Sequence, residues 1–167
     1  MDLFTIVIIV TVVSLLGFSV LFGAPYLPTR KKWAKEALEL AKVGKNDTVV
    51  DLGSGDGVIL KLVAEQGAYG IGYEISPVWW LISKIRLMKY GGHTLVKLSN
   101  YWHIDLPIQT TVVYAFCVER DAKKLEKYLI EQAEKVKAQK LRVVAFGFSL
   151  PTKKPTNKNK VAYLYEI

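Results

Sequence analysis

The chain opens with a long apolar run and continues as short apolar blocks that alternate with amphipathic ones. Several short blocks are apolar at nearly every position, which is typical of strands buried on both faces of a parallel sheet. The predicted strands cover residues 48–51, 69–74, 94–98, 110–116, 141–146 and 161–166. Apolar residues at helical spacing predict helices at residues 58–64, 77–88 and 121–139. This alternation indicates an α/β fold, with a mostly parallel sheet covered by helices on both faces.

Another helix is predicted just before the first strand. Thr29 can cap it, Gly44 ends it, and apolar residues recur at helical spacing between Trp33 and Ala41. Ser76 is expected to cap the helix at 77–88 in the same way, with Pro77 in its first turn.

The amino-terminal run Leu3–Phe22 contains no charged residue. As a helix rising about 1.5 Å per residue, it would span roughly 30 Å, the thickness of the hydrocarbon core of a bilayer. A cleaved signal peptide would need a basic start and a shorter apolar core, whereas this chain starts Met1-Asp2 and Pro25 follows the run. We therefore expect one transmembrane helix.

Basic residues follow that run, whereas only Asp2 is charged before it. The basic residues are Arg30, Lys31, Lys32 and Lys35. The positive-inside rule then predicts a single-pass membrane protein with its carboxyl-terminal domain on the cytoplasmic or matrix-like side. The predicted division is an anchor at 1–23, a linker and cap helix at 24–47, and the main domain at 48–167. Prolines in the link at 23–29 favour an extended chain.

A glycine-rich loop joins the first strand to the helix after it. Glycines at 53, 55 and 57 permit a sharp turn and the close approach of a ligand. Asp51 ends the strand, Asp56 lies inside the loop, and Glu74 ends the next strand. The carboxylates of Asp51 and Asp56 would repel a pyrophosphate but attract a ligand that carries an ammonium and a sulfonium. Glu74 is placed to accept hydrogen bonds from ribose hydroxyls.

Cysteine and histidine content argue against disulfides and metal chemistry. The single cysteine, Cys117, excludes an internal disulfide and lies in an apolar run, where a buried core residue is expected. His93 and His103 lack the spacing of metal ligands. A net charge of +8 favours an anionic partner, either RNA or a lipid surface.

The loop and the acids after it resemble motif I and the following acid of class I S-adenosylmethionine-dependent methyltransferases. Asn100, just past the third strand, lies where such enzymes commonly hold the adenine, and an aromatic neighbour can stack on its face. The resemblance implies a Rossmann-like sheet, and the Cys and His content predicts no metal. The implied cofactor contacts are Asp51, Gly53, Ser54, Gly55, Asp56, Gly57, Glu74, Ile75, Asn100 and Tyr101.

Further motifs indicate which family of class I methyltransferases the chain resembles. They are the Pro25-Tyr-Leu-Pro-Thr29 link, Gly72-Tyr-Glu-Ile-Ser-Pro77, the Asn100-Tyr-Trp102 loop and Phe148-Ser-Leu-Pro-Thr152. With the apolar run, this set resembles the membrane-bound protein-lysine methyltransferases, whose eukaryotic members modify the adenine nucleotide translocase and the ATP synthase c subunit. The resemblance implies S-adenosylmethionine as methyl donor and a lysine of a membrane or membrane-associated protein as acceptor.

Lysine methylation requires a neutral amine. A lysine with a pKa of about 10.4 costs about 4 to 5 kcal/mol to neutralise at pH 7, and a partly desolvated aromatic channel lowers that cost. The candidate channel residues, which also fit a plain core or surface position, are Trp102, Tyr114, Phe116, Glu119 and Phe148. Glu119 would guide the incoming cation. No residue is assigned to a proton-transfer step.

Two other functions stay open on the sequence alone. A lipid or small lipophilic acceptor would suit the apolar run and channel equally well. A non-catalytic cofactor-binding or RNA-binding module would explain the positive charge, but the motif acids are intact and a lipid surface explains the basic residues, so nucleic acid is not the expected partner.

Overall fold

The computed structural model of this protein describes the backbone of residues 1–22 and 29–167, with side chains throughout except at 12 and 14–22. The predicted link therefore lies outside the described residues, apart from Thr29. The helices are α1 Leu3–Phe22, α2 Lys31–Leu40, α3 Val58–Glu65, α4 Pro77–Leu87 and α5 Ala122–Ala133. The strands are β1 Thr48–Leu52, β2 Tyr69–Glu74, β3 Thr94–Leu98, β4 Val112–Ala115, β5 Arg142–Phe146, β6 Asn157–Lys158 and β7 Ala162–Glu166.

The seven strands form one sheet in the order β3-β2-β1-β4-β5-β7-β6. β1 pairs in parallel with β2 and β4, and the outer pairs β2–β3 and β4–β5 are also parallel. β7 runs antiparallel to β5 and β6. The prediction of a Rossmann-like, mostly parallel α/β sheet is confirmed. The carboxyl ends of β1, β2, β4 and β5 therefore share one edge, which we call the rim.

Alternating side chains of the strands form two main cores, one on each face of the sheet. On one face, Val49 and Val144 pack with Leu38 of α2 and Val63 of α3. On the other face, residues such as Val50 and Val113 pack with Leu125 and Leu129 of α5. Fully burying a side chain of this size contributes about 1.5 to 3 kcal/mol. The helices predicted on both faces are thus present and hold the rim in place.

Besides small shifts at other ends, the end of one helix and the presence of one strand differ from the sequence prediction. α5 ends at Ala133, not near Gln139, because the next turn tightens and the amide of Lys137 donates to the carbonyl of Ile108 at 2.7 Å. A chain that gives its amide to a neighbouring loop cannot continue the helical ladder. β6 was not predicted, since two polar residues carry no strand pattern and are ordered by pairing with β7.

The predicted caps also differ. Arg30, not Thr29, occupies the N-cap of α2, and its side chain makes no capping hydrogen bond. Ser76 is at the N-cap of α4 as expected, with Pro77 in the first turn, but its hydroxyl does not cap the helix.

The expected membrane location is contradicted. Among the residues whose side chains the structure describes, which include only part of the apolar run, no helix is long and apolar enough to cross a membrane. The predicted location, a single-pass membrane protein with its domain on the cytoplasmic or matrix-like side, was therefore wrong, and the expected transmembrane helix is not supported. The predicted boundaries at 1–23, 24–47 and 48–167 stay a prediction.

Candidate active site

The glycine-rich loop between β1 and α3 turns sharply at the rim. Gly53, Gly55 and Gly57 have φ angles of 88°, 51° and 78°, a left-handed conformation that residues with a Cβ rarely adopt. The amides of Gly53 and Ser54 donate to the carbonyl oxygen of Tyr73 at 2.9 and 3.0 Å. A Cβ built on Gly53 would meet no atom within 4 Å. The loop is therefore anchored to β2 on one side and borders open space at Gly53.

Glu74 links this loop to the turn after β2. Its Oε2 accepts from the amide of Gly55 at 2.7 Å, and its Oε1 accepts from the amide of Ser76 at 2.7 Å. The side chain is 6% exposed, and burial raises its pKa while the amides of Ser76, Gly55 and Ile75 oppose that rise. Each carboxylate oxygen has two acceptor positions, so Glu74 holds both turns and keeps acceptor capacity for a ligand.

Asp51 is buried at the end of β1 with 3% of its surface exposed. Burial raises its pKa well above the usual value, and the negative charges of Glu74 and Asp56 raise it further. In the sheet register, Asp51 lies beside Gly72 of β2 and Tyr114 of β4. A cation placed next to these three carboxylates would be stabilised by them and would lower the pKa of Asp51.

Asp56 pairs with a residue that the sequence analysis missed. Its carboxylate forms an ion pair with Arg86 of α4, so one of the three acids is already partly neutralised.

A Cβ on Gly57 would lie 2.4 Å from Oγ of Ser83 and 3.0 Å from Leu87. Ser83 and Leu87 are four residues apart on α4, so helical spacing predicts that they lie on the same face of that helix. The loop thus packs directly on α4.

The Asn100 loop folds on itself and on α5. Oδ1 of Asn100 accepts from the amide of Trp102 at 3.1 Å. The rings of Tyr101 and Trp102 are 4.6 Å apart, and Trp102 lies 6.0 Å from Tyr128 of α5. The ammonium of Lys124 is 4.1 Å from the Trp102 ring centroid. The loop reaches the site because the amide of Ser99 donates to the carbonyl of Glu74.

The candidate channel residues are divided between the faces of the sheet. Phe148 and Trp102 pack with the core on the α5 side, whereas Tyr114 packs with the core on the α2 and α3 side. Phe116 follows β4 at the rim, and Glu119 is exposed. The structure therefore brings Tyr114 next to Asp51 but does not gather all five residues into one group.

Four buried hydroxyls lack a hydrogen-bond partner among the described residues. They belong to Ser54, Ser76, Ser83 and Tyr114. Ser54 directly precedes Gly55, and Ser76 itself supplies the other amide that Glu74 accepts. The hydroxyl of Tyr114 has a raised pKa, because it is buried and faces the charge of Asp51, while the Thr29 side chain opposes the rise. Tyr114 therefore keeps its proton.

Glu126 of α5 holds the loop after β5, another feature that the sequence analysis missed. Its buried carboxylate accepts from the amide and hydroxyl of Thr152 and from the amide of Lys153 at distances between 2.8 and 3.2 Å. The amide of Leu150 donates to the hydroxyl of Tyr165 at 2.8 Å. These bonds fix the loop that forms the β5 part of the rim. A Glu within a charged helix gives no sequence signal for such a contact.

Cys117 follows β4 and is 4% exposed. Burial, with a smaller effect from Asp121, raises the pKa of its thiol to about 12. Within residues 1–22 and 29–167, no three His, Cys, Asp or Glu side chains are grouped to hold a metal ion.

The sequence matches a known family over most of the main domain. The family described as the ANTKMT methyltransferase domain matches residues 51–157. The lysine N-methyltransferase of the ATP synthase c subunit from Xenopus laevis is 33% identical over 131 residues, which are 76% of this chain and 54% of that protein. The human counterpart is 30% identical over 76% of this chain and 53% of its own length. The chain thus spans about half the length of these relatives.

Two further similarities extend over whole proteins. A protein-lysine N-methyltransferase of Saccharolobus islandicus is 29% identical over 155 residues, which cover 86% of this chain and 93% of that protein. Among solved structures, an RNA methyltransferase of Salinibacter ruber in complex with S-adenosyl-L-homocysteine has a TM-score of 0.77 and 26% identity, and the match covers 84% of this chain and 94% of that one. The fold thus occurs in a methyltransferase of similar size.

Proposed function

We propose that this chain, which belongs to the ANTKMT methyltransferase domain family, transfers a methyl group from S-adenosylmethionine to a lysine side chain of a protein. The observation that carries the proposal is the similarity over 93% of the archaeal protein-lysine N-methyltransferase. The acidic rim agrees with it, since both the cofactor and the acceptor lysine are cations.

The residues at the rim fit the proposed cofactor. Gly53 borders open space, and two unpartnered hydroxyls, of Ser54 and Ser76, lie in the turns joined by Glu74. Asp51 and Glu74 would bind the positively charged part and the ribose. The other proposed contacts are Gly55, Asp56, Gly57, Ile75, Asn100 and Tyr101. S-adenosylmethionine, when bound, supplies a methyl group on a positively charged sulfonium.

The remaining task of the protein is to align a neutral amine. Alignment supplies a large part of the rate in such a displacement. Asp51 and the protonated Tyr114 are neighbours in the register at the ends of β1 and β4, and the hydroxyl oxygen of Tyr114 can accept a hydrogen bond from the amine. Burial of this region disfavours an ammonium and so lowers the cost of losing the amine proton, once the charge of Asp51 is paired with the positively charged cofactor. Trp102, Phe116, Glu119 and Phe148 stay candidates for the acceptor entrance.

The finer proposal is that the acceptor protein is a membrane or membrane-associated protein. It is supported by the relatives named for the ATP synthase c subunit. A lipid or small lipophilic acceptor is an alternative, and RNA is a second one that is favoured by the named Salinibacter ruber structure.

Three measurements on the full chain test the proposal. Calorimetry should detect binding of S-adenosylmethionine and S-adenosylhomocysteine. Incubation of cell extract with radiolabelled methyl donor, followed by separation of protein, lipid and RNA, should place the label in protein, and acid hydrolysis should recover it as methyllysine. Asp51→Ala and Glu74→Ala should remove the label, whereas Glu131→Ala on the exposed face of α5 should not. Label in lipid or RNA alone would reject the lysine assignment.

A further inference from the structure

Beside the rim lies a surface formed by basic side chains of two elements that are distant in sequence. Six exposed cations form it, and we call it the basic shoulder: Arg30, Lys31, Lys32, Lys35, Lys158 and Lys160. Among the described residues, only Lys35 of this group has an ion-pair partner, Glu39 at 3.7 Å with both side chains largely exposed. The guanidinium of Arg30 lies over the Trp33 ring at 5.1 Å from its centroid. The remaining members, Lys31, Lys32, Lys158 and Lys160, are exposed.

Specific bonds build the basic shoulder. Nδ2 of Asn159 donates to the carbonyl of Glu36 at 3.1 Å, and this bond ties the β6–β7 turn to α2. Oδ1 of the same Asn159 accepts from the amides of Val161 and Ala162 at 2.9 Å each. A single amide side chain thereby fixes Lys158 and Lys160 alongside α2. Like charges held together in this way repel each other, which favours an anionic partner.

The basic shoulder adjoins the candidate active site. The amide of Gly147, directly after β5, donates to the carbonyl of Val161 at 2.9 Å. The β6–β7 side of the shoulder therefore meets the rim, which carries Asp51, Asp56 and Glu74.

We propose that the basic shoulder binds acidic residues that flank the acceptor lysine in the substrate protein. The inference rests on the proposed lysine methyltransferase function. A lysine segment without acids would be attracted by the rim and repelled by the shoulder. A segment with a central lysine and acids several residues away satisfies both charges at once, which gives specificity by complementarity.

The test uses two labelled peptides of about 15 residues with a central lysine, one with glutamates at the outer positions and one with glutamines there. The Glu peptide is expected to have roughly tenfold higher kcat/KM and tighter binding by fluorescence anisotropy at low salt, mostly through KM. Both advantages should shrink in about 0.5 M salt, since exposed charges are screened.

A pair of matched charge reversals locates the effect. Lys31→Glu with Lys158→Glu should remove the preference for the Glu peptide, whereas Lys127→Glu with Lys137→Glu, on and just after α5, should keep it. Each pair changes four units of charge, so net charge alone cannot explain a difference. A glutamate at the first residue of α2 also suits the helix dipole, and thermal midpoints check that both variants fold.

Each outcome decides the inference. Equal binding of the two peptides, or equal effects of the two charge-reversal pairs, would overturn it. A single-stranded RNA oligonucleotide that binds more tightly than the Glu peptide at the same salt, and loses binding in the Lys31 and Lys158 variant, would assign the shoulder to RNA and also overturn it. Anisotropy measures peptide binding to the basic shoulder whether or not the peptide is methylated. A lack of methylation with both peptides would therefore count against the proposed function and not against this inference.

Discussion

The carboxylate of Glu74 accepts a hydrogen bond of 2.7 Å from the backbone amide of Gly55, which lies nineteen residues earlier in the chain. Its other oxygen accepts the amide of Ser76 at the same distance. One side chain at the end of β2 thus holds the glycine loop after β1 and the turn that starts α4. The shape of the candidate cofactor site therefore depends on this residue before any ligand is bound.

Replacing Glu74 by Gln should disturb both turns. An amide has one acceptor oxygen, and its NH2 group would face a backbone donor, which leaves a buried amide without a partner at a cost of about 1 to 3 kcal/mol. We expect that loss in the free energy of unfolding in urea and at least roughly tenfold weaker S-adenosylmethionine binding by calorimetry. Glu131→Gln, exposed on α5, is the control. Unchanged binding in Glu74→Gln would contradict the role given to this carboxylate.

Asp51 should make the protein less stable as pH rises. Burial raises its pKa in the folded protein, so the folded state holds a proton that the unfolded state has released above the ordinary aspartate value of 3.8. Stability therefore falls from about that pH up to the raised pKa of Asp51. Asp51→Asn cannot titrate, and its free energy of unfolding should exceed that of the wild type at neutral pH and approach it near pH 4.

Asp105 provides a control of opposite sign for that pH series. The pKa of its exposed carboxyl is lowered by hydrogen bonds from Lys135 and Gln132, so its contribution is present above the unfolded pKa and is lost as pH falls. Asp105→Asn should therefore lose stability at neutral pH and not at low pH. Parallel pH profiles for Asp51→Asn and the wild type would refute the assigned shift of Asp51.

Gly57→Ala should destabilise the protein more than Gly53→Ala. Both glycines have positive φ, but only at Gly57 would the new Cβ meet other atoms, with Oγ of Ser83 at 2.4 Å. The conformational cost alone is about 1 to 2 kcal/mol, and the clash adds to it at Gly57. Urea unfolding without cofactor measures both variants. Adding Ser83→Ala should recover part of the loss in Gly57→Ala and none in Gly53→Ala.

Glu126→Gln should loosen the loop after β5. The amides of Thr152 and Lys153 and the hydroxyl of Thr152 donate hydrogen bonds to the Glu126 carboxylate. A glutamine would offer only one acceptor oxygen for these three donors. We expect a loss of about 1 to 3 kcal/mol in stability and faster amide hydrogen exchange confined to residues 150–153. Exchange that rises equally throughout the sheet would indicate a general loss of stability instead.

The sequence predicted the structure best at positions where the local conformation or burial permits only a few residue types. Glycines at 53, 55 and 57 and the apolar strand runs predicted the rim, because left-handed turns and doubly buried strands each select few residues. Contacts between distant charged residues could not be predicted. From the sequence alone, any of several lysines and arginines could pair with Asp56. The packing of α4 against the loop is what makes Arg86 the partner.

Residues with two plausible environments were equally hard to place. Tyr114 and Phe148 are both aromatic residues near strand ends, but they pack on opposite faces of the sheet. Their faces depend on strand register and on the path of the loop after β5, which Glu126 fixes from a distant part of the sequence. The wrong prediction of location came from the length and hydropathy of the apolar run together with the basic residues that follow it.

The buried Cys117 offers a practical advantage for spectroscopy. Its thiol is enclosed and stays protonated near neutral pH, since its pKa is about 12, so maleimide reagents should leave it intact. A second cysteine introduced at an exposed position on α5, such as Lys127 or Glu131, would then take up a fluorophore or spin label selectively. Distances between such labels could follow peptide docking in solution without first removing the native thiol.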